Sequence, residues 1–280
     1  MNSLTDNFKK KHDLLICVDS DGCAMNTMDI KHFTCFGPCL VQEWGLEQWE
    51  KPLLERWNEI NLYSMTRGVN RFKGLALLLE EVDRKYIKIP DLASLTKWIT
   101  EAPELSNNAL QRRLHQTDSQ CLSKALHWSR AVNAAIAKLP EAAKQPFPGV
   151  AEGLSIAHSF ADIAVVSSAN RDAVLEEWRQ HHLLEHVDLV LAQDSGGKAD
   201  CISSLLACGY QPDHVLMVGD APGDQNAAKK NGVFFFPILV RQEAESWKQF
   251  SSEGLSRFKE GSYSSYGAEK ETEFIKNLGN

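Results

Sequence analysis

Five short runs along the chain are near-continuously apolar: Leu14–Val18, Ile163–Val166, Val187–Leu191, Val215–Val218 and Val233–Phe236. Strands covered on both faces read this way, so the runs predict a buried parallel sheet. Helical patterns separate the last four. "GVAEGLSIAHSF" precedes Ile163 and "RDAVLEEWRQHHL" follows that strand, while "GKADCISSLLACGY" and "DQNAAKKNG" flank Val215–Val218. Strand alternating with helix predicts an α/β fold with a doubly wound parallel sheet.

The interval between the first two runs breaks this rhythm. Residues 19–162 carry no convincing strand, but Leu53, Leu54, Trp57 and Tyr63 recur at helix-like spacings. "GLALLLEEV" and "CLSKALHWSRAVNAAIAKL" read the same way. The pattern predicts an all-helical domain inserted after the first strand. "FPGV" at Phe147–Val150 marks the return. The sheet domain is thus assigned to residues 1–27 plus 146–280, and the helical one to 28–145. Beyond Pro237 the chain predicts a polar helical tail, with Trp247 as an amphipathic anchor and Gly261–Gly267 ("GSYSSYG") as a flexible loop.

Composition narrows the class only slightly. The 280 residues are 43% hydrophobic and 24% charged, as in an ordinary globular protein. The net charge of −7 argues against nucleic acid or an anionic membrane as partner. The opening is polar and no run reaches the length of a signal-peptide core or a membrane span, so a cytoplasmic location is expected. Seven cysteines without a CxxC pair suggest neither a disulfide framework nor a structural metal. His181, His182 and His186 close a helical pattern, where positive charge suits the helix dipole.

The chemistry gathers where the strands end. Ligands of open parallel sheets bind beyond the carboxyl ends of the strands. After the first run come Asp19 and Asp21, after the second Ser167 and Ser168, after the third Lys198, and after the fourth Asp220 and Asp224. Several carboxylates at one edge would repel unless a cation neutralised them. Mg²⁺ prefers carboxylates together with water and phosphate oxygens. A lysine supplies a point charge for a phosphate, and a hydroxyl donates to anionic oxygens. This set of groups suits phosphoryl chemistry. A second cluster, Arg67, Asn70 and Arg71 in "TRGVNRF", lies between two helical patterns and is a candidate for substrate contact or an ordinary solvated loop. The glycines form no GxGxxG fingerprint, which disfavours a dinucleotide.

In these motifs the sequence resembles the haloacid dehalogenase superfamily. Asp19-Ser20-Asp21-Gly22 matches its first motif, Ser167 its second, Lys198 its third, and Gly219-Asp220 through Asp224 its fourth. The resemblance implies a Rossmann-like core with a helical cap of the C1 type, similar to phosphoglycolate phosphatases. It further implies that Asp19 is a nucleophile and Asp21 a general acid and base. Mg²⁺ would be held by Asp19, Asp21 and Asp220, with Asp224 orienting Lys198. Ser167, Ser168 and Lys198 would bind the phosphoryl group. Founding dehalogenases lack the second aspartate, so Asp21 favours a phosphatase of a small phosphorylated metabolite. Phosphoglycolate, sugar phosphates and nucleotides remain open as substrates. A phosphomutase of the β-phosphoglucomutase type and a non-catalytic phosphate-binding module are the alternatives.

Overall fold

The computed structural model describes residue 5 and residues 8–279. Residues 1–4, 6, 7 and 280, assigned above to the sheet domain, lie outside the described residues. Five strands form one parallel sheet: β1 (Leu14–Val18), β2 (Ala161–Val166), β3 (Leu189–Leu191), β4 (Val215–Gly219) and β5 (Phe234–Pro237). Their order is β3-β2-β1-β4-β5, so the chain builds outward from β1 in one direction and then returns to build in the other. The reversal falls between β1 and β4, where such sheets open a crevice at their carboxyl edge. In register, Val18 faces both Val165 of β2 and Val218 of β4. The residues that follow these three strands therefore emerge side by side.

Helices cover both faces of the sheet, and the apolar residues of β1, β2 and β4 are fully buried, apart from the half-buried Leu14 at the start of β1. This is why those strands read as unbroken apolar runs rather than alternating ones. The described residues divide into two compact units, one within Met1–Met28 and Glu141–Asn280 and the other Asp29–Pro140. The second consists of helices, the longest being Glu50–Leu62, Arg71–Lys85 and Gln120–Ile136, around a core that includes Trp57, Phe72 and Trp128. Their rings meet edge to face, Trp57 and Trp128 at 5.9 Å between centroids. Met28 and residues 141–145, expected in the helical domain, cluster with the sheet unit. Asn26 N donates to Gln145 O at 2.8 Å and Phe147 N to Ala24 O at 3.0 Å, drawing the returning chain onto the segment after β1.

The tail departs from expectation at "GSYSSYG". It is no flexible loop: Tyr263–Leu278 is one helix, with Tyr263 fully buried. Tyr263 OH donates to Phe235 O at 2.8 Å, and Phe274 packs on Phe235 at 5.3 Å between centroids. The small polar residues gave a loop-like composition, but the buried aromatics on one helix face decide the local structure. Trp247 is also fully buried, as its amphipathic setting suggested. Among the described residues no helix is long and apolar enough to cross a membrane.

At the opposite end of the sheet, Asp188 ties several segments together. Its carboxylate accepts from Lys11 Nζ at 2.6 Å and Ile163 N at 2.9 Å, and faces His158 Nε2 at 3.3 Å. Burial alone would raise this carboxyl, but these donors outweigh it and hold the pKa below the ordinary range. A depressed folded pKa adds stability above the ordinary carboxylate range and loses it as pH falls through the depressed value. Asp188→Asn is therefore expected to cost about 1–2 kcal/mol at pH 7. Variant and parent should converge as pH drops below about 4, which denaturant titrations at several pH values will check.

Candidate active site

The turn after β1 is built around two polar groups of Ser20 and one glycine. Asp19 N continues the sheet by donating to Val218 O at 3.0 Å. The Ser20 carbonyl then accepts from Cys23, Ala24 and Met25 N at 3.3, 2.9 and 2.8 Å, closing a tight turn. Gly22 sits at φ 83°, in the left-handed region where a side chain would be strained. The result keeps Asp19 buried at the sheet edge, 5% exposed, while Asp21 stands at the turn.

The turn after β4 brings the remaining carboxylates. Asp220 is 1% exposed and Asp224 fully buried. Asp224 lies in the first turn of the helix Pro222–Asn231 and its Oδ2 accepts from Ala221 N at 3.0 Å, satisfying an orphan donor at the helix start. Its side chain runs back over Gly219: a Cβ there would lie 2.4 Å from the Cβ and Cγ of Asp224. The glycine of the GDxxxD motif is thus required by space.

Lys198 opens the helix Lys198–Leu206 and completes the group. Its Nζ lies 2.8 Å from Asp19 Oδ2 and 2.6 Å from Asp224 Oδ1, with the side chain 14% exposed. Burial disfavours its charge, yet Asp19 and Asp224 more than offset this and raise its pKa. Burial pushes the Asp19 carboxyl up, against the pull of Lys198 and with the push of Asp224 and Asp220. One ammonium cannot balance three buried carboxylates. Asp19, Asp220 and Asp224 each offer an oxygen, all within 4.8 Å of one another. An all-oxygen, carboxylate-rich donor set of this kind fits a hard divalent cation.

Ser167 is buried just beyond β2, bonded through its N to Leu191 O at 2.9 Å. Its Oγ accepts from Ala169 N at 3.1 Å, which leaves the hydroxyl hydrogen as a donor. Ser168 is exposed, and Asn170 caps the helix Arg171–Gln180 by accepting from Asp172 and Ala173 N at 3.0 and 3.2 Å. Arg171 spans from this helix to the loop before Lys198. It donates to Asp194 Oδ2 at 2.6 Å, Val190 O at 2.8 Å and Ser195 Oγ at 2.9 Å.

The structure brings Asp19, Lys198, Asp220 and Asp224 into one group. Arg67, Asn70 and Arg71 belong to the helical unit and are bonded within it. Arg67 Nη1 donates to Leu62 O at 2.7 Å, and Asn70 caps the helix Arg71–Lys85 through Phe72 N at 3.0 Å. Arg71 donates to Ser129 Oγ and Asn133 Oδ1 at 3.0 and 2.7 Å beneath the Phe36 ring, and its burial lowers its pKa to about 10. His181 meets Lys144 O at 2.6 Å and His182 meets Glu185 at 3.0 Å. One residue went unread in the sequence. Thr27, fully buried, donates to Asp21 Oδ1 at 2.6 Å. No spacing rule marks a threonine six positions on; only the turn brings it back.

Residues 92–238, over half of the chain, match the model of a family described as haloacid dehalogenase-like hydrolase. The match takes in Ser167, Lys198, Asp220 and Asp224, while the Asp19 motif lies before it. No curated protein matches in sequence. Among solved structures, a Thermotoga maritima protein assigned as a β-phosphoglucomutase aligns over 88% of this chain and 99% of its own, at 17% identity and a TM-score of 0.50. A haloacid dehalogenase-like family hydrolase of Streptococcus pneumoniae aligns over 84% and 90% of the two chains, at 13% identity and a TM-score of 0.47. A Lactobacillus plantarum protein assigned as a phosphoglycolate phosphatase covers 85% and 92%, at 13% and 0.47. At such identities the first likeness speaks to the fold alone.

The charge balance at the sheet edge makes its own prediction. Lys198→Met strands three buried carboxylates and should cost about 3 kcal/mol at pH 7 without divalent cations. Adding Asp224→Asn should recover part of the loss, since one stranded charge goes with it. Denaturant unfolding of the two variants checks this, and a single variant as stable as the parent would contradict it.

Proposed function

This chain belongs to the haloacid dehalogenase-like hydrolase family and is a hydrolase, and on that premise we propose that it is a Mg²⁺-dependent phosphatase of small phosphomonoesters. The observation that carries the reading is the buried group in which Lys198 bridges Asp19 and Asp224 beside Asp220. A carboxylate is a competent nucleophile towards phosphorus only where the repulsion between two anions is screened. Here a lysine stands against that carboxylate, which itself belongs to a set of oxygens whose chemistry suits a divalent cation.

Asp19 and Asp220 would hold the cation with the Asp21 main-chain carbonyl, and Asp224 would spend its two oxygens on Lys198 and the Ala221 amide. Bound Mg²⁺ supplies positive charge that keeps Asp19 ionised and screens the phosphoryl oxygens. Lys198 and the Ser167 hydroxyl bind the phosphoryl oxygens and orient phosphorus towards Asp19. An Asp19 oxygen forms the new bond to phosphorus as the bond to the leaving oxygen breaks. Asp21 gives its proton to that oxygen. Asp21, now ionised, takes a proton from water, which attacks phosphorus. The bond to Asp19 then breaks and inorganic phosphate leaves. Thr27 holds one oxygen of Asp21 and so fixes the direction in which the acid works.

The test is phosphate release from a panel of small phosphomonoesters, including phosphoglycolate, sugar phosphates and nucleotides. Release should need Mg²⁺ and stop with chelator, and Asp19→Asn should lower it by about 10⁴-fold or more. A parent protein that releases phosphate from no member of the panel would overturn the reading. Thr27→Val, which keeps the shape and removes the donor, should lower kcat about tenfold with KM nearly unchanged. Steady-state kinetics on the best substrate decides this, and an unchanged kcat would remove Thr27 from the mechanism.

A further inference from the structure

The turn that carries Asp19 and Asp21 is gripped by two indoles. Trp178 Nε1 donates to Ser20 Oγ at 2.9 Å, and Trp247 Nε1 donates to Cys23 O at 2.9 Å. Both tryptophans are fully buried, as are Ser20 and Cys23. An indole N–H can only donate, so the direction of both bonds is fixed. The Ser20 carbonyl organises the turn from within, by accepting from three amides of residues 23–25. The indoles take one further polar atom on each side of Asp21: the hydroxyl before it and a carbonyl after it.

Trp247 is held as firmly as it holds. A Cβ at Gly153 would lie 3.0 Å from Trp247 Cε3, so the helix Val150–His158 is cut away to seat the ring. Phe250 meets the indole edge to face at 5.3 Å between centroids. Ser246, the preceding residue, accepts from Leu239 N at 3.0 Å and donates to Gln242 O at 2.9 Å, fixing the chain that leaves the sheet. That chain is itself tied to β4, Ile238 N donating to Gly219 O at 2.8 Å beside Asp220. The residues of the family match end at 238, so Trp247 comes from a segment beyond it.

We propose that Trp247, together with Trp178, is a positioning residue for the Asp19–Asp21 turn, so that the segment after Pro237 is a working part of the site. The inference rests on the phosphatase reading for its effect on turnover, but not for its effect on the turn. Trp247 touches no reacting atom. It holds the main chain at Cys23, and through it the two carboxylates, in the geometry the transition state needs. Without the indole donor the buried Cys23 carbonyl loses its bond and the turn gains alternative arrangements.

The test uses Trp247→Phe in the full-length protein, which keeps an aromatic ring in the socket and removes the donor. Two readouts are taken on folded protein. Hydrogen exchange at the Cys23, Ala24 and Met25 amides should quicken about tenfold, while amides of β1 and β4 keep their protection. With the best phosphomonoester and Mg²⁺, kcat should fall about tenfold and KM stay within about twofold, since positioning acts in the transition state. Unchanged exchange in the turn, or a kcat per folded molecule equal to the parent's, overturns the proposal. If Trp247→Phe does not fold, Ser20→Ala removes the acceptor of the partner indole at little cost in volume. The same exchange and kcat changes are then expected, and their absence overturns it equally. Should the parent hydrolyse nothing, the exchange result alone decides, and the substrate reading fails separately from the clamp.

Discussion

Everything at the sheet edge depends on a shortage of positive charge. Lys198 is set between Asp19 and Asp224 and is the ammonium against a buried set of three carboxylates. Such a set is costly to fold with and poised to bind cations, for the same electrostatic reason. The surrounding structure serves to hold these groups together. Three neighbouring strands deliver Asp19, Ser167 and Asp220 side by side, and two helix starts deliver Lys198 and Asp224.

The division of labour among the carboxylates follows from their partners. Asp224 is occupied at both oxygens, by Lys198 and by the Ala221 amide, which suits a role in holding the lysine. Asp19 shares that lysine but stands at the sheet edge where a substrate would arrive. Asp21 has a different neighbour, the Thr27 hydroxyl, so two aspartates two positions apart meet different chemistry. Arg171 plays a parallel part on the other side by fastening the loop before Lys198 to the end of β3.

What could be read from the sequence was what repeats or sits at a fixed offset. The inner strands β1, β2 and β4 show as apolar runs because both faces of the sheet are covered there, while the edge strand β3 is half-buried and still apolar. Asp19, Ser167, Lys198 and Asp220 follow because each comes just after a strand or opens a helix. The groups that act across long separations left no such trace. Trp247 read only as an amphipathic anchor of the tail and Trp178 carried no signal, since nothing in their spacing shows that an indole N–H ends on Ser20 or Cys23. Thr27 is legible only once the Gly22 turn is formed. The tail misled for a related reason: the serines and glycines of 261–267 weigh heavily in composition, while the buried Tyr263 decides where that stretch packs. The Arg67–Arg71 stretch looked like a loop presenting cations, and the bonds to Leu62 and Ser129 became visible only in three dimensions.

The pairing of residues 24–26 with 145–147 has a consequence for how this architecture can change. Asn26 and Gln145 are joined by a 2.8 Å hydrogen bond, so the chain leaves the sheet unit and comes back at nearly the same point. Seen from the sheet, everything between is a single closed excursion whose ends are stitched by the scaffold itself. The entropy of closing such an excursion rises only slowly with its length. Helices can therefore be added, lost or exchanged inside it while the spacing of Asp19, Lys198 and Asp220 stays the same, which separates the part of the chain that holds these groups together from the part whose length can vary.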